Sequence, residues 1–214
     1  VLDSIRNFIP PVAADAEEMA ALLRSATNSS IEKGDSQKIA IIGAGPAGLS
    51  AAHDLAPLGS KPVVFEIEPV AAGMLAVGVP AYRLPRELIE KEIAVIEALG
   101  VEIRCGVKVG EDIAFAELRE DFAAVIIAVG AKSSRGLGLT GEDGPGVIGG
   151  VDLLRAVSLG EDPDMGREIV VIGGGNVAYD VARSVVRQIA FDTARTAARL
   201  SETANVHLIS LEGA

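Results

Sequence analysis

The stretch that decides the fold reads KIAIIGAGPAGLSAAHDLAPLGSKPVVFE and runs from Lys38 to Glu66. It begins with an apolar run at Ile39–Ile42, passes through a glycine-rich turn, and continues as a small-residue helix predicted over Leu49–Leu58. A second apolar run, Val63–Phe65, ends next to an acid. This order of strand, glycine turn, helix, strand and carboxylate predicts a parallel βαβ unit.

Three glycines of the turn have distinct predicted roles. Gly43 permits the tight turn, Gly45 lets the backbone approach a pyrophosphate, and Gly48 lets the helix lie close to the strand. The first turn of the helix offers unpaired N–H groups and partial positive charge, which suit a phosphate. We therefore predict a dinucleotide site whose phosphate-binding residues are Gly43, Gly45, Pro46, Ala47 and Gly48.

Glu66 is the predicted partner of the adenosine ribose. It follows Gly48 by 18 residues, and a ribose-binding acid stands about 20 residues further on in this type of unit. A glycine pattern alone is weak, and the alternative is a glycine turn inside an ordinary packed α/β core. The flanking strands and the acid together favour the dinucleotide site.

The same pattern returns 130 residues later. A strand is predicted over Glu168–Ile172, a long helix over Tyr179–Leu200, and a strand over Asn205–Leu211 that ends at Glu212. The spacing is too long for one site, so a second nucleotide is predicted at Gly173, Gly174, Gly175, Asn176 and Val177. The alternative is a duplicated domain whose second site is inactive.

The predicted fold class is α/β, with two Rossmann-like βαβ units that both lack strands in this chain. Residues 1–37 are predicted to be a helical segment and linker, 38–150 the first part of one nucleotide-binding domain, and 151–214 a truncated second one. Glu87–Leu99 carries a helical apolar stripe. Ala123–Val129 is a continuous apolar run, which is typical of a strand buried on both faces.

Composition argues against several classes of protein. The 214 residues carry a formal net charge of −11, and nucleic-acid phosphates need clustered Lys and Arg instead. No apolar run reaches the roughly 18 residues of a membrane-spanning helix, and the N-terminus lacks the pattern of a signal peptide. We therefore expect a cytoplasmic protein that binds neither nucleic acid nor membrane.

Residues for side-chain chemistry are few. The single cysteine, Cys105, cannot form an internal disulfide or a CxxC pair, and we predict a buried packing residue. His53 and His207 have no partners at ligand spacing and are interpreted as structural. No metal site is predicted, and no catalytic side chain is identified.

Five short motifs carry a resemblance to a known family. They are GAGPAGL from Gly43, VFE from Val64, GVPAYRLP from Gly78, LGV from Leu99 and GGGNVAYD from Gly173. With them the chain resembles the flavoprotein family of the glutamate synthase small subunit, which includes the flavin half of dihydropyrimidine dehydrogenase. The third motif is the most diagnostic, because ordinary enzymes with two dinucleotides do not carry it.

The resemblance implies FAD at the first turn and NAD(P)H at the second. Hydride would pass from one cofactor ring to the other, and the cofactors carry this chemistry. The resemblance also implies that electrons leave for iron–sulfur clusters in a partner domain or subunit.

Further cofactor contacts follow from the resemblance. Arg83 would bind the FAD phosphates through its guanidinium, and Val109 and Gly130 would lie near the flavin nucleotide. The loop beside this site adds Gly73 and Leu75 as predicted contacts. In the second unit, Asp180 would stand one turn into the helix, either at the cofactor or only as a helix-dipole carboxylate.

Three alternatives to such an electron-transfer flavoprotein stay open. A disulfide reductase of the thioredoxin-reductase type needs a CxxC pair that is absent, and a flavin monooxygenase is disfavoured by the GVPAYRLP motif. A non-catalytic nucleotide-binding or scaffold subunit is the third. Since the chain begins with valine and stops inside the second predicted domain, we expect a piece of a longer enzyme that is inactive alone.

The choice of nicotinamide coenzyme is predicted from the end of the last strand. A carboxylate there, Glu212, can accept hydrogen bonds from the ribose hydroxyls of NAD and would repel the 2′-phosphate of NADP. The sequence thus predicts a preference for NADH. The alternative is a surface glutamate, because the long preceding helix puts Glu212 beyond the usual spacing.

Overall fold

The computed structural model describes residues 15–27, 36–163, 165–166, 168–196 and 205–209, without the side chains of 189–196. Contacts divide the chain into two compact units, one of residues 1–76 with 85–130 and the other of 77–84 with 131–214. The assignment of residues 38–150 and 151–214 to two functional domains stays a prediction.

A four-stranded parallel sheet forms the first unit. In the order β3-β2-β1-β4, it contains β1 (Lys38–Ile42), β2 (Lys61–Glu66), β3 (Glu102–Cys105) and β4 (Ala124–Ile127). The accompanying helices are α1 (Ala16–Ala26), α2 (Pro46–Leu55), α3 (Met74–Val77), α4 (Arg86–Ala98) and α5 (Phe115–Asp121). Ile42 aligns with Phe65 on one side and with Ile127 on the other. The carboxyl ends of three strands therefore share one edge, where open α/β sheets bind ligands.

The core of this unit lies around β1 and β2. Ala40 and Val64 have no exposed surface, and Phe65 is 1% exposed. The Phe65 ring also packs edge-on against Phe122, with 6.0 Å between ring centroids. Such complete burial explains why β2 reads as a continuous apolar run rather than an alternating one.

The strand β4 differs from its prediction. Its apolar run predicts burial on both faces, but among the described strands β4 pairs only with β1 and forms the edge of the sheet. Ile127 is 64% exposed and Val129 is 53% exposed. The predicted burial is therefore wrong, because no described element covers the outer side of this edge.

The second unit repeats the βαβ order. Strands β5 (Glu168–Ile172) and β6 (Asn205–Ile209) pair in parallel, and α7 (Asn176–Thr196) connects them. Helix α6 (Gly150–Ser158) precedes β5. Its apolar side packs with β5 and α7 in one core cluster, whose buried members are Leu153, Leu154, Val171, Ala178, Val181 and Val185.

The helices that follow the two glycine turns both begin earlier than predicted. Helix α2 begins at Pro46 and ends at Leu55, and α7 begins at Asn176. Proline is favoured at the first helical position because its missing N–H has no partner there anyway. Strand β6 is described only to Ile209. The predicted α/β class with two βαβ units is confirmed.

Among the described residues, no helix is long and apolar enough to cross a membrane.

Candidate functional site

Two glycines of the first turn are required by the fold itself. Gly43 has a φ of +106°, and a Cβ atom on it would lie 2.3 Å from the Ala128 carbonyl oxygen. A Cβ atom on Gly48 would lie 1.9 Å from the Gly43 carbonyl oxygen. Any side chain at either position would collide with backbone. The positive φ and the close approach of the chain after β4 explain Gly43, and the close packing of α2 on the turn and β1 explains Gly48.

Gly45 is different, because the fold does not require a glycine there. Its φ of −72° and ψ of −179° suit any residue, and a Cβ atom would meet nothing within 4 Å. Gly45 caps the N-terminus of α2, and no side chain supplies a capping bond. The turn therefore presents open space next to the N–H groups and positive dipole end of a helix, which suits an anion.

A short loop closes one side of this turn. The Ala72 N–H donates to the Ala44 carbonyl at 2.8 Å, and Ala72 holds a φ of +80° that non-glycine residues rarely adopt. A Cβ atom on Gly73 would lie 2.9 Å from the Cα atom of Gly45. The structure thus brings Gly73 against the glycine turn, and the carbonyl of the nearby Leu75 accepts a 2.8 Å hydrogen bond from Arg86.

Glu66 lies at the end of β2 and is 1% exposed. Its Oε2 atom accepts a hydrogen bond from the Ala44 N–H at 2.7 Å, and its Oε1 atom accepts one from the Glu68 N–H at 3.0 Å. The predicted ribose acid is thus beside the glycine turn, as required. It also stabilises the turn directly, which the sequence did not indicate.

Cys105 is paired in register with Glu66 across β2 and β3. It is exposed, so the prediction of a buried packing residue is wrong. Partial burial raises the pKa of the thiol, and the carboxylates of Glu66 and Glu97 raise it further. A raised pKa keeps the thiol protonated and makes it a poor nucleophile.

Two other residues predicted near the flavin lie in the same unit. Val109 is half-buried and forms an isolated bridge with Ile113, against the core cluster that contains Phe65. Gly130 follows β4, has a φ of +67°, and would meet nothing within 4 Å if it carried a Cβ atom. Their contacts with a flavin stay predictions.

The second turn repeats the geometry of the first. Gly173 has a φ of +140°, and its N–H donates to the Ile209 carbonyl at 2.8 Å, as that of Gly43 donates to Phe65 at 2.7 Å. A Cβ atom on Gly175 would meet nothing within 4 Å, as on Gly45. Gly174 lies between these two glycines, and Asn176 and the half-exposed Val177 begin α7.

A cleft of about 620 Å³ opens at this second turn. Its volume lies within the range of roughly 300–1,000 Å³ that is usual for small-molecule sites. The apolar wall comes from β5 and α6, and the turn contributes Gly173, Gly175, Asn176 and Val177. The second predicted set therefore faces a space that can hold part of a ligand.

The hydrogen bonds donated by Gly43 and Gly173 also show which residues correspond at the ends of β2 and β6. Phe65 and Ile209 hold equivalent positions, since each carbonyl accepts from the first glycine of its turn. The residue that follows Phe65 is Glu66, and the residue that follows Ile209 is Ser210. The predicted discriminator, Glu212, is two residues further along and lies outside the described residues.

Arg83 lies in the second unit, beside the predicted helix residue Asp180. The two side chains form an ion pair, with 2.9 Å between the Arg83 Nε and Asp180 Oδ1 atoms. The Tyr82 hydroxyl donates to the same oxygen at 3.1 Å. Sequence reasoning named Arg83 and Asp180 separately and missed the pair, although both stand in motifs shared with one family.

Each histidine lies next to a carboxylate that is outside the two glycine turns. His53 Nδ1 lies 2.8 Å from Asp54, and His207 Nε2 lies 3.5 Å from Glu168. In the part of the chain that the structure describes, no group of three or more His, Cys, Asp or Glu residues could hold a metal ion.

Comparison with known families gives a match over most of the chain. The sequence model described as "Pyridine nucleotide-disulphide oxidoreductase" matches residues 37–210.

Curated relatives are similar over about the same part of the chain. The NADP(+)-dependent formate dehydrogenase subunit beta of Moorella thermoacetica is 51% identical over 155 residues, which is 71% of this chain and 22% of the relative. The glutamate synthase [NADPH] small chain of Halomonas elongata is 41% identical over 162 residues, 71% of this chain and 34% of the relative. The NAD-dependent dihydropyrimidine dehydrogenase subunit PreT of Salmonella typhimurium is 42% identical over 149 residues, which is 69% of this chain and 36% of the relative.

A solved structure agrees with these relatives. Mycobacterium tuberculosis FprA in complex with NADPH superposes with a TM-score of 0.59 and 36% identity over 69% of this chain and 36% of that one. The chain thus spans well under half the length of the proteins it matches. The resemblance drawn from the five motifs is confirmed, since glutamate synthase and dihydropyrimidine dehydrogenase subunits are among the relatives.

Proposed function

The chain belongs to the pyridine nucleotide-disulphide oxidoreductase family, and on that premise we propose that it is the core of a flavoprotein that passes hydride from NADPH to FAD. The first turn holds FAD, the second holds the nicotinamide coenzyme, and electrons leave for an iron–sulfur partner. Activity belongs to the whole natural polypeptide, of which this chain supplies the two glycine turns.

The freedom at Gly45 and Gly175 is the observation that carries the proposal. Each stands two residues after the first glycine of its turn, and neither is explained by backbone strain or by packing inside the protein. A bound pyrophosphate explains both, because a side chain at that position would occupy its place. By contrast, Gly43 and Gly48 would be glycines even in a protein without a ligand.

The residues of the first turn fit FAD. The N-terminus of α2 supplies N–H donors for the diphosphate, and Glu66, which is hydrogen-bonded to the turn, is the carboxylate that would accept hydrogen bonds from ribose hydroxyls. When bound, FAD would be able to accept a hydride and to release electrons one at a time. The protein's part is to bind and orient the cofactors.

For the nicotinamide site we propose NADPH, which replaces the predicted preference for NADH. The comparisons give that preference no support, because the formate dehydrogenase and glutamate synthase relatives are named for NADP(H), although the dihydropyrimidine dehydrogenase subunit is named for NAD. The equivalence of Phe65 and Ile209 supports Ser210, and not Glu212, as the sequence position that corresponds to Glu66. A serine hydroxyl can donate to a 2′-phosphate and carries no repelling charge.

An iron–sulfur domain or subunit is the proposed electron acceptor. The family resemblance implies it, and several relatives are named as subunits or chains of larger enzymes. The disulfide-reductase alternative is disfavoured, because the one cysteine of the sequence has a raised thiol pKa and no second cysteine to pair with.

Absorption spectroscopy of the natural polypeptide that contains this chain tests the proposal. We expect a stoichiometric yellow flavin band that NADPH bleaches in the absence of oxygen. A colourless protein that takes up no FAD would refute the flavin assignment. A flavin band that neither NADPH nor NADH bleaches would refute the electron-transfer assignment and leave a scaffold.

A further inference from the structure

A cationic side chain lines the cleft at the second glycine turn. Among the described residues of this lining, Arg135 is the only one with a positive charge. It is exposed, and it forms no hydrogen bond or ion pair with another described residue. All of the lining residues belong to the second unit. The cleft therefore offers an unused guanidinium to a bound ligand.

The residue before Arg135 is fixed to helix α6. The Ser134 hydroxyl donates to the Asp152 Oδ2 atom at 2.9 Å, and Asp152 stands in the first turn of α6. Gly149, which caps this helix, packs so closely that a Cβ atom on it would collide with the side-chain oxygens of both residues. The backbone that carries the Arg135 side chain is thus anchored at its neighbour.

The same end of α6 lies against the beginning of α7. A Cβ atom on Gly150 would lie 3.2 Å from the Val181 Cγ2 atom and 3.7 Å from the Val177 Cγ1 atom. Val177 is the second residue of α7, and it lines the cleft together with Gly175 and Arg135. Arg135 therefore shares the cleft with a helix start, which favours an anion.

The acid of the cleft lining lies at the other end of β5. Glu168 is the first residue of this strand, whereas the glycine turn follows its last residue, Ile172. At roughly 3.3 Å per residue, the four steps between them span about 13 Å. Glu168 also accepts a 2.7 Å hydrogen bond from Asn205. The lining acid is therefore remote from the turn and has a partner of its own.

We propose that Arg135 binds the diphosphate of the nicotinamide coenzyme at the second turn, and that Ser134 is a positioning residue that anchors Arg135 through Asp152. A guanidinium presents its N–H donors in a planar fork that matches phosphate oxygens. The diphosphate is the part of the coenzyme that the turn and the start of α7 favour. The inference rests on the proposed function, since it needs a nicotinamide coenzyme in this cleft.

The test compares NADP⁺ with NAD⁺, which share the diphosphate and differ in the 2′-phosphate. Calorimetry on the natural polypeptide gives the two dissociation constants, and absorption gives the FAD content. We expect Arg135→Gln to weaken the binding of both coenzymes about tenfold, as for the loss of a charged hydrogen bond. The ratio of the two constants and the FAD content should stay unchanged.

Variants of Ser134 test the anchor. Ser134→Ala removes the hydroxyl that donates to Asp152, and we expect it to weaken both coenzymes less than Arg135→Gln does. Ser134→Thr keeps a hydroxyl and should restore the binding. In the Arg135→Gln background, Ser134→Ala should have no further effect, because Ser134 acts only through Arg135.

The matched control is Arg183→Gln. Arg183 is also an exposed arginine of the second unit, on α7, and it lines a different groove. The substitution removes the same charge, so it measures the general electrostatic effect on an anionic ligand. It should leave both constants near their wild-type values. Thermal unfolding of every variant separates loss of binding from loss of folding.

Three results would overturn the inference. Wild-type constants in Arg135→Gln would make Arg135 a surface residue without a role in binding. A loss confined to NADP⁺ would assign it to the 2′-phosphate instead. An equal loss in Arg183→Gln would reduce the effect to net charge. By contrast, a wild type that binds FAD but neither NADP⁺ nor NAD⁺ would refute the proposed nicotinamide site, and the inference with it.

Discussion

The Oε2 atom of Glu66 lies 2.7 Å from the backbone nitrogen of Ala44, whose N–H donates to it from inside the first glycine turn. The acid predicted to bind ribose is therefore also part of the turn that is predicted to bind phosphate. Since the carboxylate is 1% exposed, its hydrogen bonds form away from water, where an unmade bond is costly.

Glu66→Gln should consequently destabilise the protein. An amide has one oxygen, so it can accept from either Ala44 or Glu68 and turns its NH₂ group towards the other N–H. We expect a loss of about 1–3 kcal/mol, the cost of one unsatisfied buried polar group, measured by urea unfolding. The exposed Glu90→Gln on α4 is the control. Equal stability of the two variants would show that the turn does not depend on Glu66.

Gly175→Ala tests the second turn separately. A Cβ atom there would meet no protein atom within 4 Å, so we expect the fold to be retained. The methyl group should instead displace the coenzyme diphosphate and raise the KM for NADPH at least tenfold, which corresponds to about 1.4 kcal/mol. The flavin content should not change. A variant with normal KM would place the coenzyme elsewhere.

The two strand ends predict which residue selects the coenzyme. A carboxylate at position 210, which corresponds in sequence to Glu66 of the first unit, should accept from the ribose hydroxyls of NADH and repel the 2′-phosphate of NADPH. We expect Ser210→Asp to move the ratio of kcat/KM values towards NADH at least tenfold. Glu212→Gln should move it less. A larger effect at position 212 would restore the original prediction for Glu212.

The loop before α6 provides a pH-dependent prediction. The carboxylate of Glu142 accepts hydrogen bonds from the N–H groups of Leu137, Gly138 and Leu139, at 2.7, 2.7 and 3.2 Å. The bonds from Leu137 and Gly138 chiefly lower its pKa below the ordinary 4.5. Because the folded pKa is the lower one, the stabilisation is present above the unfolded pKa and is lost as pH falls through the folded pKa.

We therefore expect the amide signals of residues 137–139 to shift together, below pH 4.5, in an NMR titration. In Glu142→Gln that step should be missing, because the carboxyl group that accepts from these three N–H groups has been removed. A step of equal size in the variant would mean that another group orders the loop.

The first βαβ unit was predictable because its signals are local. Glycine positions, apolar runs and a strand-end acid lie within the stretch from Lys38 to Glu66, and backbone sterics link them to one structure. The helix boundaries were less predictable. Helix α2 begins at Pro46, inside the glycine motif itself. The last residues of the motif therefore belong to the helix, whereas the sequence pattern assigned them to the glycine-rich loop.

Contacts between distant positions could not be read from the sequence. Tyr82 and Asp180 are 98 residues apart, and no periodicity relates them. The exposure of Ile127 and Cys105 was missed for a related reason. An apolar strand is buried only if another element covers it, and whether a cover exists depends on the arrangement of the whole sheet.

The most direct test of the central claim, that the first turn holds FAD, compares Gly45→Ala with Gly48→Ala. We expect Gly48→Ala to unfold or strongly destabilise the protein, since its Cβ atom would lie 1.9 Å from the Gly43 carbonyl oxygen. Gly45→Ala should keep its melting temperature and lose bound FAD, measured as the flavin-to-protein ratio of the purified natural polypeptide. A Gly45→Ala protein that retains stoichiometric FAD with wild-type affinity would show that the pyrophosphate of FAD does not lie at the first turn.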